Sequence, residues 1–351
     1  MIFSGLLGLA GCSPSSDSTG TQIQINGAGA TFPSPVYANW TYNYSESSNH
    51  KIQVNYQGVG SGAGINQLKE KTIDFAGSDA PLSGEEQEKA GLVQFPMLAG
   101  GIVVIFNLPG IKDAELKLSR KSLEGIWFGR IRKWNDPLLQ KENPDLALPD
   151  LDITVVHRSD SSGTSFLFTA YLAKISPEWK EKIGVGKTVH WPTGIGGVKN
   201  PGVCNNVARI PGAIGYTEYT YAKEMKLCSA SLQNRSNQYV VPDEDSFRNA
   251  LEKIDWKASA GFSLDPVDAE GGKSWPILGI TYILYRKDLK DPVRSELFPY
   301  FLWCFDAGKS SAVNMHYLPI PEAVADQIRT SVFKMEGPVQ KTESVKNGEK
   351  E

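Results

Sequence analysis

The chain has 351 residues, of which 40% are apolar and 21% charged, with a formal net charge of −3. This composition fits a folded protein of about two domains and excludes a disordered chain. A small negative charge without a long basic stripe argues against nucleic-acid binding, because affinity for a phosphate backbone needs clustered Lys and Arg.

Residues 1–11 are apolar and uncharged, and the run ends in Leu9-Ala10-Gly11-Cys12. That tetrapeptide is similar to a bacterial lipobox, whose cysteine is lipidated and becomes the mature first residue, so Cys12 is the expected lipid anchor. The alternative is a trimmed secretion signal with an incidental cysteine. The segment is too short to span a bilayer, and it lacks the positive n-region of a signal peptide, which points to a start further upstream. The Ser-rich stretch 13–20 reads as a flexible tether.

From residue 21 onward, strand and helix patterns alternate. Apolar runs at 21–25, 52–56 and 75–77 predict strands, and apolar spacing over 37–44 and 63–71 predicts the helices between them. This β-α-β-α-β order favours an α/β domain with a mainly parallel sheet. A second set starts with a buried-strand signal at 101–106 and continues through 123–128, 153–157 and 166–174. A strand at 279–285 and amphipathic helices at 297–305 and 322–332 follow. The tail 334–351 alternates charges without regular apolar spacing and reads as disordered.

Three glycine- and hydroxyl-rich stretches open predicted helices. They are Gly27-Ala28-Gly29-Ala30-Thr31-Phe32, Gly60-Ser61-Gly62-Ala63-Gly64 and Ser161-Ser162-Gly163-Thr164-Ser165-Phe166. A helix N-terminus presents unpaired N–H groups and the positive end of the helix dipole. Glycine permits close approach to that backbone, and Ser or Thr adds a hydroxyl donor. One such opening is common, and each has an ordinary reading as a strand-to-helix turn or a capped helix start. Three of them, with Arg158 just before the third, point to a pocket that surrounds a small oxyanion. The first two fall at strand C-termini, the edge where open α/β sheets bind ligands.

Arg158-Ser159-Asp160 puts a carboxylate two residues from the guanidinium, close enough to orient it. Asp79, in Gly77-Ser78-Asp79-Ala80-Pro81, is either a turn-forming residue before Pro81 or part of the pocket. A carboxylate beside an anion repels it unless a proton lies between them, so Asp79 would favour a protonated oxyanion. Catalytic constellations are thin. His50, His157, His190 and His316 show no metal-ligand spacing, and no Gly-x-Ser-x-Gly elbow occurs. Trp127, Trp134 and Trp191 read as packing residues. Cys204, Cys228 and Cys304 match no zinc motif, and a Cys204–Cys228 disulfide in an exported protein is left open.

These motifs together resemble the phosphate-binding protein of the bacterial high-affinity phosphate ABC transporter. The resemblance extends over Tyr56-Gln57-Gly58-Val59-Gly60-Ser61-Gly62, Phe75 to Leu82, Trp191-Pro192-Thr193-Gly194-Ile195-Gly196-Gly197 and Gly212 to Tyr219, in order from about residue 24 to 332. It implies an α/β, two-lobed periplasmic-binding-protein fold of class II type with a ligand cleft between lobes. Lobe I would comprise 21–99 plus 279–333, and lobe II would comprise 100–278. It further implies phosphate contacts from Thr31, the Phe32 backbone, Ser61 and Asp79 in one lobe, and Arg158, Ser162, Gly163 and Thr164 in the other, with Asp160 pairing Arg158. The expected partners are inorganic phosphate, transmembrane permease subunits with their ATPase, and the membrane through lipidated Cys12. The protein would be monomeric, non-enzymatic, periplasmic or cell-surface, and without metal or cofactor. A sulfate or molybdate carrier is the nearest rival, a phosphate-monoester hydrolase is the enzymatic one, and an adhesion or structural surface protein is the third. The cysteines after Cys12 and the region 315–321 fall outside the family pattern.

Overall fold

An alternating run that ends in Gly27-Ala28-Gly29 forms the first strand. The computed structural model describes residues 22–257 and 260–334. The lipobox with Cys12, the tether and nearly all of the charged tail lie outside these residues. Strand β1 (Ile23–Gly29) lies parallel to β2 (Ile52–Gly58) and β3 (Phe75–Ser78), with Ile23 opposite Ile52 and Gly27 opposite Phe75. Helices α1 (Ser34–Ser47) and α2 (Ser61–Lys69) make the crossovers. Helix α1 starts ahead of the expected 37–44, with Pro35 in its first turn, where a missing N–H leaves no bond unmade. Helix α2 starts at Ser61 because Gly60 takes φ 96° at the N-cap position, which only glycine adopts without strain.

Strand β4 (Leu92–Phe106) carries the chain out of this half. In the second half, β5 (Thr154–Arg158) is parallel to β6 (Ile195–Gly197) and β7 (Ala213–Glu218). Helices α3 (Gly163–Ile175) and α4 (Lys199–Arg209) lie between these strands in sequence. Strand β8 (Leu278–Arg286) then returns antiparallel to β3. The resulting order is β2-β1-β3-β8-β4-β7-β5-β6. The sheet is therefore mixed, with a parallel triplet at each end and antiparallel strands in the middle.

The middle is where β4 changes partner. Residues 92–101 pair with β8, and residues 102–106 pair with β7. Only 101–106 was expected from sequence, whereas the strand begins at Leu92. In the structure Pro96 sits opposite Tyr282, where a β-bulge shifts the register and the missing ladder donor is accommodated.

The seam is stitched by buried polar groups. Glu218, at the end of β7, accepts from the Thr220 N–H at 3.0 Å and from the Tyr317 hydroxyl at 3.1 Å. Tyr317 also reaches the Phe32 carbonyl at 2.8 Å, and the Thr220 hydroxyl donates to the Met315 carbonyl at 2.7 Å. Burial pushes the Glu218 carboxyl up to about 8, against the pull of its hydrogen-bond donors. Residues 315–321, which matched no pattern in the sequence, thus pack against the crossing.

The stretch 123–128 continues the alternation as the end of a helix, Arg120–Trp127, with Phe128 at its C-cap, and 322–332 divides into an α-helix, Glu322–Gln327, and a π-helical turn, Ile328–Val332. Trp127 and Trp134 are buried, whereas Trp191 is half-buried and stacks on His157 with ring centroids 5.0 Å apart. The Cys204–Cys228 disulfide is not formed, since both thiols are free. Cys204 faces the Thr217 hydroxyl under the sheet, and Cys228 faces the Ile111 carbonyl, so the two side chains point to different neighbours. Among the described residues no helix is long and apolar enough to cross a membrane.

Candidate anion-binding site

Three turns at the C-terminal edge of β1, β2 and β3 build one wall. The Gly29 carbonyl accepts from the Val59 and Gly60 N–H groups at 2.9 and 2.8 Å, and the Ala30 N–H donates to the Gly77 carbonyl at 2.8 Å. These bonds lock the three turns into one surface. Gly29 sits at φ 145°, and a Cβ there would collide with the Gly77 backbone, so the first turn tolerates no side chain. Thr31, Phe32, Ser61 and Asp79 are all buried on this wall.

The opposite wall grows from the end of β5 and the start of α3. Arg158 is 3% exposed and grips Asp160 at two points, Nε to Oδ1 at 2.8 Å and Nη2 to Oδ2 at 2.6 Å. Burial raises the Asp160 pKa, but the two-point bond to Arg158 outweighs it and holds this carboxyl below its ordinary range. The Arg158 Nη1 turns instead to Asn200 Oδ1 at 3.1 Å and Thr164 Oγ1 at 3.5 Å. Ser162 caps α3, accepting from the Ser165 N–H at 3.1 Å, and Gly163 is the first helical residue.

The walls touch. The Gly163 N–H donates to Ser61 Oγ at 3.1 Å, and the Gly62 N–H donates to the Ser161 carbonyl at 3.1 Å. The Asn200 N–H reaches Thr31 Oγ1 at 3.4 Å, and the Tyr221 hydroxyl donates to the Thr31 carbonyl at 2.6 Å. A Cβ on Gly163 would lie 2.5 Å from Ser61 Oγ and 2.6 Å from Asp79 Oδ2, so glycine is what lets the walls approach. Thr31, Ser61, Asp79, Arg158, Gly163 and Thr164 therefore meet at one locus, with Phe32 and Ser162 next to them in the chain and Asp160 behind Arg158.

The hydrogen-bond directions define its chemistry. The hydroxyls of Thr31, Ser61, Ser162 and Thr164 each accept from a protein donor. Each hydroxyl proton is thereby left to donate outward. Opposite them stands one acceptor, Asp79, which is 1% exposed and has neither carboxylate oxygen bonded to a protein donor. Burial pushes its pKa up to about 7, opposed by the Thr281 hydroxyl and the Arg158 guanidinium. The Thr281 hydroxyl lies near Asp79 without a hydrogen bond of its own. With Asp160 paired to Arg158, most of the donors left free at this locus are neutral. Among the described residues no group of three or more His, Cys, Asp or Glu could hold a metal ion.

Two residues at this locus were missed. Asn200 contacts both Arg158 and Thr31, and Thr281 faces Asp79. Lone polar residues on a helix start and a strand carry no motif; the only cue to Asn200 was its place after Gly196-Gly197.

The PBP superfamily domain profile matches residues 14–303 of this chain. The chain is 46% identical over 311 residues to phosphate-binding protein PstS of Pasteurella multocida, covering 88% of this chain and 90% of that protein. Against the protein of the same name from Haemophilus influenzae, identity is 45% over 307 residues, covering 87% and 91%. In fold it is similar to a high-affinity periplasmic phosphate-binding protein (PfluDING) bound with phosphate, at TM-score 0.70, 22% identity and coverage of 88% and 94%. It is also similar in fold to a putative phosphate ABC transporter substrate-binding protein with bound phosphate from Clostridium perfringens, at TM-score 0.62, 17% identity and coverage of 85% and 100%.

Proposed function

We infer that this chain, which belongs to the phosphate-binding protein family of the PBP superfamily, captures inorganic phosphate outside the cytoplasm and delivers it to an ABC transporter permease. The observation that carries the reading is the set of four hydroxyl donors and one arginine facing a single unpartnered carboxylate. Thr31, the Phe32 backbone, Ser61, Asp79, Arg158, Ser162, Gly163 and Thr164 surround the ion, and Asp160 orients Arg158. Phosphate brings a proton for Asp79, and its remaining oxygens accept from the other groups. Micromolar affinity needs about 8 kcal/mol, which several charge-assisted hydrogen bonds of about 1.5–3 kcal/mol each supply after ordering costs. The mechanism is binding, with no bond made or broken.

We assign residues 21–99 with 279–333 to one lobe and 100–278 to the other. The change of partner along β4 between Gly101 and Ile102 supports that division. The donors lie on both lobes, so all of them meet one ion only when the lobes close, and phosphate shifts the population toward closure. Calorimetric titration with phosphate, sulfate and a phosphate monoester tests the ligand: saturable binding of phosphate alone is expected, and equal binding of sulfate would overturn the reading. Small-angle scattering should show compaction on adding phosphate, and identical profiles at saturation would argue for a rigid protein.

The delivery step needs the protein held near its permease, a transmembrane partner with an associated ATPase. Lipidation of Cys12, read from Leu9-Ala10-Gly11-Cys12, supplies that tether. Metabolic lipid labelling of the chain expressed with an intact signal should tag the wild type and not Cys12→Ser. An untagged wild type would remove the anchor.

A further inference from the structure

We propose that Asn200 is a positioning residue of the phosphate site, coupling lobe closure to the orientation of Arg158. The proposal rests on the phosphate-binding reading above and adds a residue to which no role has been given. Asn200 is wholly buried at the start of α4. Its side-chain Oδ1 accepts from Arg158 Nη1 at 3.1 Å, on the side of the guanidinium that Asp160 leaves free. Its backbone N–H reaches Thr31 Oγ1, on the opposite wall, at 3.4 Å. One residue therefore touches the principal cation of one wall and a hydroxyl donor of the other.

The local backbone is arranged to hold it there. Lys199, at φ 62°, takes a left-handed conformation that is uncommon outside glycine. That turn sends the Lys199 N–H to Asp160 Oδ1 at 2.9 Å and the next N–H to Thr31. The first two amides of α4 are thus committed to the two residues flanking the ion's surroundings, one behind Arg158 and one across the cleft. A further observation concerns cost. Asn200 Nδ2 is buried without a protein acceptor. An apolar residue would remove that unsatisfied donor but would leave the buried Arg158 Nη1 without its acceptor. The side chain is explained by its Oδ1, which accepts from Arg158 Nη1.

The Thr31 contact is made by the backbone N–H and survives replacement of the side chain. Side-chain variants therefore isolate the bond to Arg158, whose loss should act on phosphate release more than on capture. The test is stopped-flow and calorimetric measurement of phosphate binding by wild type, Asn200→Ala and Asn200→Ser, whose shorter side chain stops short of Arg158. Asn205→Ala, an exposed position on the same helix, serves as the control. Both Asn200 variants should weaken affinity by about 10- to 100-fold, the scale of a hydrogen bond to a charged group. The loss should appear in koff, with kon within about threefold. In an Arg158→Lys background, which lacks Nη1, Asn200→Ala should cost much less, as coupled residues require. Wild-type koff in both Asn200 variants, or an undiminished loss in the Arg158→Lys background, overturns the proposal. If wild type itself fails to bind phosphate, the functional reading falls instead, and the two failures are distinct.

Discussion

Replacing Arg158 with alanine is expected to weaken phosphate binding by about 2–5 kcal/mol, the range for truncating one side of a buried charge pair. The structure gives three reasons. The guanidinium is the buried cation of the site and carries the charge that neutral hydroxyls lack. It holds Asp160 ionised through a two-point bond, so its loss leaves a negative carboxylate near an incoming anion. It also anchors Asn200 and Thr164, whose orientations loosen with it. Arg158→Lys should lose less affinity, since the charge remains, but it cannot reproduce the planar fork that meets Asp160 and Asn200 at once. Calorimetric titration reads both variants, and wild-type affinity in Arg158→Ala would remove Arg158 from the site.

Changing Asp79 to asparagine is expected to cost selectivity more than affinity. An ionised Asp79 accepts a hydrogen bond from a protonated phosphate oxygen. Sulfate brings no proton, so it sets a bare oxygen against a desolvated carboxylate. Discrimination of several kcal/mol follows from that unpaired contact. Asparagine can donate, so sulfate rejection should weaken in Asp79→Asn while phosphate affinity changes little, the lost bond being offset by lost repulsion.

The raised pKa adds a pH dependence whose sign is fixed. With Asp79 near 7 in the folded protein against an ordinary 3.8, the carboxyl is neutral below about 7 and can donate to sulfate. Sulfate should therefore compete better as pH falls through 7, and selectivity for phosphate should rise above it. The same shift acts on folding. Between 3.8 and 7 the native protein holds a proton that the unfolded chain has released, so this group's contribution to stability declines as pH rises through that window. Asp79→Asn should flatten both trends. Competition titrations of wild type and variant with the two anions across pH check this. A wild type that binds sulfate as well as phosphate, or an unchanged preference in Asp79→Asn, would end the proton-reading role.

Much of the site was legible in the sequence because its chemistry is local. Glycines that let a backbone approach a ligand, hydroxyls at the first turn of a helix, and an Arg with a carboxylate two residues on are all spelled within a few residues of one another. Their order along the chain added the α/β architecture. The first parallel triplet followed from strand and helix alternation, which is also a short-range property, whereas of the second only the strand at 153–157 was expected.

Only the tertiary structure decided how those pieces meet. Ser61 and Gly163 are 102 residues apart, and Asn200 and Thr31 are 169 apart, yet each pair is in hydrogen-bond contact. No periodicity encodes such contacts, because they depend on two lobes docking. The same holds for β4, of which only 101–106 was expected; its first nine residues join the sheet through a register shift beside Pro96. It holds for the cysteines, since spacing does not say that Cys204 and Cys228 face different neighbours. It holds most of all for Asp79 and Glu218. Their residue types are plain in the sequence, but the raised pKa of each comes from burial, and burial is set by everything folded around them.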